Sequence, residues 1–393
     1  MAKAKKTTRR KLSIAKTALS PALPPDRLLG DIRSLIESAR EQTARAVNSA
    51  LVGLYWHIGK RIREDVLHEQ RADYGNQIVS TVSKQLVAEY GRGFSHSSLS
   101  RMVKLAEYFP DERIVASLMQ QLSWTHFLQL LPIEDRLKRD FYAEMCRIER
   151  WSTRTLRHKI DHLLFERTAV AKKPEKLIEQ ELAALRDKDR MAPDLVFRDP
   201  YFLDFLGLSG QYIEKDMEQA ILRELEAFFL ELGSDFAFVT RQKRVTVDGE
   251  DYYLDLLFYH RRLRRLVAID LKLGKFQAAD KGQMELYLRW LEKYDMQPGE
   301  EAPIGLILCA DKGEEHVELL QLDRSGIRVA QYLSELPPLE LLEKKLHESI
   351  RLARERLAQH TDAVPPTGLL PDIPTTKPRK AQPRKRDETK PRR

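Results

Sequence analysis

Asp255, Asp270 and Lys272 are the residues whose types and spacing could do chemistry. They stand in two apolar segments, DYYLDLLFYH (251–260) and LVAIDLKLGKF (266–276), separated by the basic run Arg261–Arg265. Both segments are rich in residues that favour strands, and the basic run makes a natural hairpin tip. Side chains alternate faces along a strand, so Asp270 and Lys272 point the same way while Ile269 and Leu271 point the other. A carboxylate and an ammonium inside an apolar strand cost several kcal/mol, an order of magnitude, unless something uses them. Antiparallel pairing of the two segments brings Asp255 close to Asp270. Two acids side by side make a divalent-cation site, and a neighbouring lysine suits a phosphodiester under attack. The chemistry implied is that of a nuclease.

The helix that follows contains QMELY, with Gln283 and Tyr287 one turn apart on one face. Upstream, the periodicity predicts one helix over 212–232, with Met217, Ile221, Leu225, Phe228, Phe229 and Leu232 buried and Gly233 closing it. Glu214 and Glu218 lie near its start, and Glu218 borders the apolar stripe. A strand over FAFVTRQKRVTV ends at Asp248-Gly249, a pair that makes tight hairpins. IGLILCA reads as a fully buried strand and IRVAQY as a shorter one. The order is therefore αβββαβ with one more strand. A charged helix over 339–359 follows, suited to pack on the core or to pair with a second subunit.

The first half is helical throughout. Ile32, Leu35, Ile36, Ala39, Val47, Leu51, Leu54, Tyr55 and Ile58 recur at helical spacing as one long amphipathic helix. A second helix over 76–90 ends at Gly91 and Gly93, and Ser95 or Ser97 then caps a short third helix. This is the outline of a helix-turn-helix, with Ser98, Arg101 and Lys104, and Arg92 beside them, placed to meet nucleic acid. An ordinary helical hairpin fits the same spacing. His126, among apolar neighbours with no second ligand beside it, reads as a hydrogen-bonded structural histidine.

With 393 residues, 42% hydrophobic and 32% charged, the chain is long enough for two domains with separate cores. No apolar run reaches membrane-spanning length, and no secretory signal begins the chain. Two distant cysteines, Cys146 and Cys309, exclude a disulfide framework and a Cys-based zinc site, and suit a cytoplasmic protein. Residues 1–20 and 361–393 together hold sixteen Lys and Arg against four acids, a net +12 that leaves −4 of the overall +8 for the body. Both ends read as disordered, either electrostatic arms for nucleic acid or solubilising tails. The divisions expected are a basic tail to 25, a helical domain over 26–173, a linker over 174–194, a catalytic domain over 195–360 and a second basic tail.

Asp255 followed by Asp270-Leu271-Lys272 on consecutive strands resembles the PD-(D/E)xK nuclease superfamily, and the QxxxY pattern its RecB-type members. The closer resemblance is to the YhcG-type nucleases, through DYYLDLLFYHRRLRRLVAIDLKLGKF, FLELGSDFAF, YWHIGKRI, the Tyr90–Leu99 stretch and LSWTHFLQLL. It covers nearly everything between the tails. The fold implied is α+β in two domains. A helix-turn-helix-like all-α domain that binds nucleic acid precedes a restriction-endonuclease-like α/β core with a C-terminal helix. The site implied binds Mg²⁺, or Mn²⁺ as the alternative, through Asp255, Asp270 and the carbonyl of Leu271. Many relatives carry Glu where this chain has the shorter Asp270. Lys272 would orient or deprotonate the attacking water or stabilise the phosphate, its pKa lowered by burial. Glu218 is the candidate for an additional metal or water contact, with Glu214 and Glu226 as competitors. Gln283 and Tyr287 would orient the lysine, the water or a substrate phosphate. The substrate expected is nucleic acid, DNA before RNA, cut in defence, restriction or repair. A nucleic-acid-binding accessory protein with a structural nuclease fold, and a homodimeric Holliday-junction resolvase, are the alternatives.

Overall fold

The computed structural model describes residues 25–68, 72–208, 213–233, 235–320 and 322–362. The basic ends expected to be disordered, 1–24 and 363–393, lie outside these described residues, as does Tyr212.

Helix α1 (Pro25–His68) runs into α2 (Ala72–Tyr90), a single 3-10 turn over Arg92–Phe94, and α3 (His96–Tyr108). The C-terminal half of α1 packs on α3 because Gly59 lets the backbones touch: a Cβ there would collide with the Met102 carbonyl. Ser95 occupies the N-cap of α3, but its hydroxyl makes no capping bond and turns to Ser97 and Ser98 instead. The N-terminal half of α1 departs from expectation. Its apolar residues from Leu29 to Val47 are exposed, with no described residue packed on them.

Helices α4 (Arg136–Glu149) and α5 (Thr153–Asp161) complete the helical half, and both start from an acid or hydroxyl that accepts a first-turn amide. His126 is structural, as its surroundings suggested: one ring nitrogen meets Ser123 N and the other the Trp151 carbonyl, both at 3.0 Å. The stretch over 174–194, expected as a linker with a polar helix, holds α6 (Glu175–Lys188), and Ile178, Leu182 and Leu185 of that helix are buried in the main core. An i, i+4 apolar face on a charged helix is enough to bind it down, whatever the polarity of the rest.

The second half is one six-stranded sheet. Its strands are β1 (Tyr201–Phe202), β2 (Phe236–Val247), β3 (Glu250–His260), β4 (Arg265–Lys275), β5 (Ile304–Asp311) and β6 (Ile327–Leu333), in the order β1-β6-β5-β4-β3-β2. β2, β3 and β4 are antiparallel neighbours joined by tight connections; β4, β5, β6 and β1 run parallel. The β2–β3 turn has positive φ at both Asp248 and Gly249, the twist a two-residue hairpin prefers. The parallel step from β4 to β5 needs a crossover, which a helix over Ala278–Tyr294 supplies. Before the sheet, the helix expected over 212–232 is two, α7 (Glu214–Arg223) and α8 (Leu225–Leu232), broken at Glu224. We label the crossover helix α9 and the last helix, Leu339–Asp362, α10.

One face of the sheet, with Leu256, Phe258, Ile269 and Leu271, shares a continuous core with α7, α8 and the helical half. The other, with Leu257, Ala268, Ile307 and Cys309, packs on Met284, Tyr287 and Leu291 of α9. Glu231 of α8 is buried where the halves meet and takes Arg167, Arg198 and the Phe202 amide. Of the two roles open to the last helix, packing is the one observed: Leu342, Leu346 and Ile350 of α10 are buried against the body.

Candidate active site

The β3–β4 ladder ends at Leu256↔Ile269, and the next residues along it are Asp255 and Asp270. From there a side chain takes over from the backbone: Asp255 Oδ2 accepts the Leu271 amide at 2.8 Å. The hairpin register thus does what the sequence pattern required, setting the two carboxylates opposite each other at the end of the paired region.

Their environments differ. Asp255 is half-buried, whereas Asp270 is 2% exposed. Burial pushes the Asp270 carboxyl up to about 7, against the pull of Lys272 and with Asp255 adding to the rise. Lys272 Nζ stands 2.8 Å from Asp270 Oδ2 as an ion pair. Among the described residues no three His, Cys, Asp or Glu side chains converge. Two carboxylates side by side suit a divalent cation that keeps several waters and needs few protein ligands.

Lys272 corrects one expectation. Burial does oppose its charge, but Asp270, Glu214 and Asp255 outweigh burial and raise its pKa.

Glu218 is buried and reaches the site through a residue that spacing did not single out. Gln242 Nε2 donates to Glu218 Oε2 at 2.8 Å and to Asp255 Oδ1 at 3.1 Å. Gln242 sits on β2 with a left-handed φ of 45°, between pairs that oppose Arg241 to Leu256 and Lys243 to Leu254. Nothing in FVTRQKRV marks that glutamine, because its left-handed backbone, which aims the side chain at Glu218 and Asp255, is announced by no residue type. Of the competing glutamates, Glu214 is close enough to act on Lys272, while Glu226 lines a separate cavity with Trp151 and Lys159.

The QxxxY pair is real but differently employed. Gln283 Nε2 donates to the Tyr287 hydroxyl at 2.7 Å, and that hydroxyl donates to the Tyr253 carbonyl at 2.9 Å. The fully buried Tyr287 is therefore committed to β3 two residues before Asp255, and its one proton is not available to lysine or water.

The surface of the helical half expected to meet nucleic acid is mixed. Arg92 and Arg101 are exposed; Ser98 is held by Ser95 at 3.0 Å, and Lys104 lies over the Tyr108 ring at 5.0 Å. None of the four contacts the carboxylate site among the bonds described.

Two family models match this chain: the DUF1016 N-terminal domain over residues 31–167, and the YhcG PDDEXK nuclease domain over residues 194–347. The Escherichia coli (strain K12) protein named "Putative nuclease YhcG" is 35% identical over 348 residues, covering 80% of this chain and 91% of that protein. Two solved structures align with a third of the chain. A repair endonuclease from Pyrococcus abyssi does so at 21% identity and a TM-score of 0.23, over 50% of its own length. EndoMS in its apo form does so at 18% identity and a TM-score of 0.22, over 49% of its length.

Proposed function

The chain belongs to the YhcG family of PDDEXK nucleases, and we propose that it hydrolyses phosphodiester bonds of DNA with Mg²⁺ held between Asp255 and Asp270. The observation that carries this reading is the buried carboxylate of Asp270, opposite Asp255 and ion-paired with Lys272. Asp255, Asp270 and the Leu271 carbonyl are the donors for the ion, and Mn²⁺ has the same preference for oxygen. A bound divalent ion would lower the pKa of a coordinated water and neutralise phosphate charge.

The residues of the chain do the rest. Lys272, kept charged by its acidic neighbours, binds the non-bridging phosphate oxygens and stabilises the charge that builds on them. Gln242 holds Asp255 to Glu218, fixing the carboxylate at one angle. Tyr287 and Gln283 fix the strand that carries it. Arg92 and Arg101, with Ser98 and Lys104 behind them, are placed to hold the DNA backbone or base edges away from the cut. The biological setting that suits such an enzyme is defence, restriction or repair.

The test is cleavage of linear, branched and single-stranded DNA and of RNA over an Mg²⁺ titration. Lys272→Ala should lower the rate about 10²–10³-fold, as removal of a charge-stabilising donor does. Full activity in that variant would remove Lys272 from the mechanism. Binding without cleavage by the parent at every metal concentration would leave a nucleic-acid-binding accessory protein.

A further inference from the structure

Backbone pairing between β3 and β4 stops at Leu256↔Ile269. Beyond that point β3 keeps only β2 as a partner, down to Glu250, while Asp270, Leu271 and Lys272 pair with β5. The sheet therefore splits at the two carboxylates. The bond from the Leu271 amide to Asp255 closes the apex of the wedge that opens there. One wall of the wedge is the β2–β3 ribbon, and the other is β4 with Lys272. A strand whose phosphate sits at the apex lies against the ribbon.

The ribbon presents an uncovered aromatic beside that apex. Tyr252 and Leu254 pack with the core on α9, so alternation turns Tyr253 to the opposite side, from which α7 presents Glu218 to Gln242. Tyr253 is 51% exposed, and among the described residues no ring and no hydrogen bond to its hydroxyl engages it. Arg244, opposite it on β2, is taken by Asp251 at 2.8 Å, so the aromatic is what this face offers. The backbone beneath the ring is fixed. Tyr287 donates to the Tyr253 carbonyl at 2.9 Å, and Gln283 donates to Tyr287 at 2.7 Å. A ring left in water on a pinned strand has only its two side-chain torsions to lose on binding, which suits it to receive a flat apolar face. Two residues of strand, about 7 Å, separate it from Asp255. At about 3.4 Å per stacked nucleotide, the ring stands within two nucleotides of a phosphate held at the carboxylates.

We propose that Tyr253 is a positioning residue on which a base within two nucleotides of the scissile phosphate stacks, so that the chain prefers strands with unpaired bases at the cut. The inference rests on phosphodiester hydrolysis at Asp255 and Asp270. In an intact duplex the faces of each internal base are covered by its neighbours, so the ring gains a base only where the strand is single, frayed or flapped. Every base has a π-face, so the preference is for structure and not for sequence. The ring holds the strand before and during attack alike, and its contribution is to binding rather than to the chemical step.

Steady-state cleavage and metal-free binding by the full chain test it, on a single-stranded oligonucleotide and on a blunt duplex of the same sequence. The parent should favour the single strand. Tyr253→Ala and Tyr253→Leu should raise KM for it about 10–100-fold, with kcat, Mg²⁺ dependence and melting temperature unchanged. The loss on the duplex should be smaller by about that factor, so that the parent's preference disappears, and Tyr253→Phe and Tyr253→Trp should keep it. An abasic nucleotide moved stepwise past the cut should weaken the parent at one position by a similar factor. It should add nothing in Tyr253→Ala, where the stacking partner is already missing. A fall in kcat or in Mg²⁺ affinity would make the residue a support of Asp255 and overturn the proposal. So would a parent that takes both substrates alike, an equal loss on the duplex, or an abasic effect that persists in Tyr253→Ala. The binding arm separates this proposal from the nuclease reading. A parent that cleaves nothing, yet binds single strands about 10–100-fold more tightly than Tyr253→Ala, would keep the stacking residue and remove the nuclease.

Discussion

Asp255 Oδ2 accepts the backbone amide of Leu271 at 2.8 Å, so a catalytic-strand carboxylate completes the ladder at the point where backbone pairing stops. One side chain thereby closes the hairpin and faces Asp270. That double use sets what a mutation there can reveal. Asp255→Asn keeps a carbonyl oxygen for the Leu271 amide and gives up only the bond from Gln242 Nε2, which still donates to Glu218. The fold should survive while the charge that binds a cation is lost. Calorimetric titration with Mg²⁺ should show binding weakened about 100-fold or more, with an unchanged far-ultraviolet spectrum. Undiminished Mg²⁺ affinity would place the ion elsewhere.

Gln242 touches Glu218 and Asp255 but donates nothing to a cation, so its role is positioning. Gln242→Ala should cost about 10–100-fold in metal affinity, as loss of an outer hydrogen bond to a ligand does. The maximal rate at saturating Mg²⁺ should recover most of the loss. If the rate at saturation fell while the metal affinity stayed constant, the glutamine would have to contact substrate.

Removal of the Tyr287 hydroxyl leaves the Tyr253 carbonyl and the Gln283 amide without their partner. Tyr287→Phe should destabilise the chain by about 1–3 kcal/mol in urea unfolding, the cost of an orphaned buried polar group. An unaltered unfolding midpoint would mean that the β3 anchor carries no stability.

Acid should loosen the contact between the halves. Glu231 is held at about 2, below its ordinary 4.5: burial pushes it up, but Arg167 and then Arg198 outweigh burial. Asp199, between Lys312 and Lys172, is also held at about 2 against the same opposing burial. A carboxyl whose folded pKa is depressed takes up protons on unfolding, so its stabilisation is complete above about 4.5 and lost as pH falls towards about 2. Denaturation midpoints measured from pH 6 to pH 2 should drop across that window, and Glu231→Gln should flatten the drop. A parent whose stability is level down to pH 2.5 would contradict this assignment.

Gly59 is the point of closest approach of α1 and α3. Gly59→Ala gains helix propensity in solution yet must push Met102 away. The net effect should be a loss of at least about 1–3 kcal/mol, read as a lowered melting temperature, because overpacking at backbone contact has no rotamer to relax into. A stabilised variant would show that the two helices can separate freely.

The sequence by itself determined the two strands that carry Asp255 and Asp270. Period-two apolar segments, a basic hairpin tip and a carboxylate in each strand leave essentially one register, because a one-residue slip would turn Ile269 and Leu271 out of the core. The tight turn at Asp248-Gly249, the buried β5 and the helix-turn-helix outline were legible for the same reason: local periodicity and turn chemistry specify them. The tertiary structure decided what depends on partners distant in the chain. The 174–194 segment has linker composition, and only the groove beside α4 makes it a core helix. The inward turn of Gln242 follows from an irregular β2 backbone that no residue type announces. The pKa of Lys272 is raised because the charges of Asp270, Glu214 and Asp255, on β4, α7 and β3, together outweigh its burial. Tyr287 looked free because QxxxY fixes only its helix face, whereas its hydroxyl is spent on a carbonyl thirty-four residues away in sequence. In α1 the apolar period gave the helix but not its cover: periodicity says that a face seeks a partner, and only the packed fold shows that the chain's described residues do not provide one.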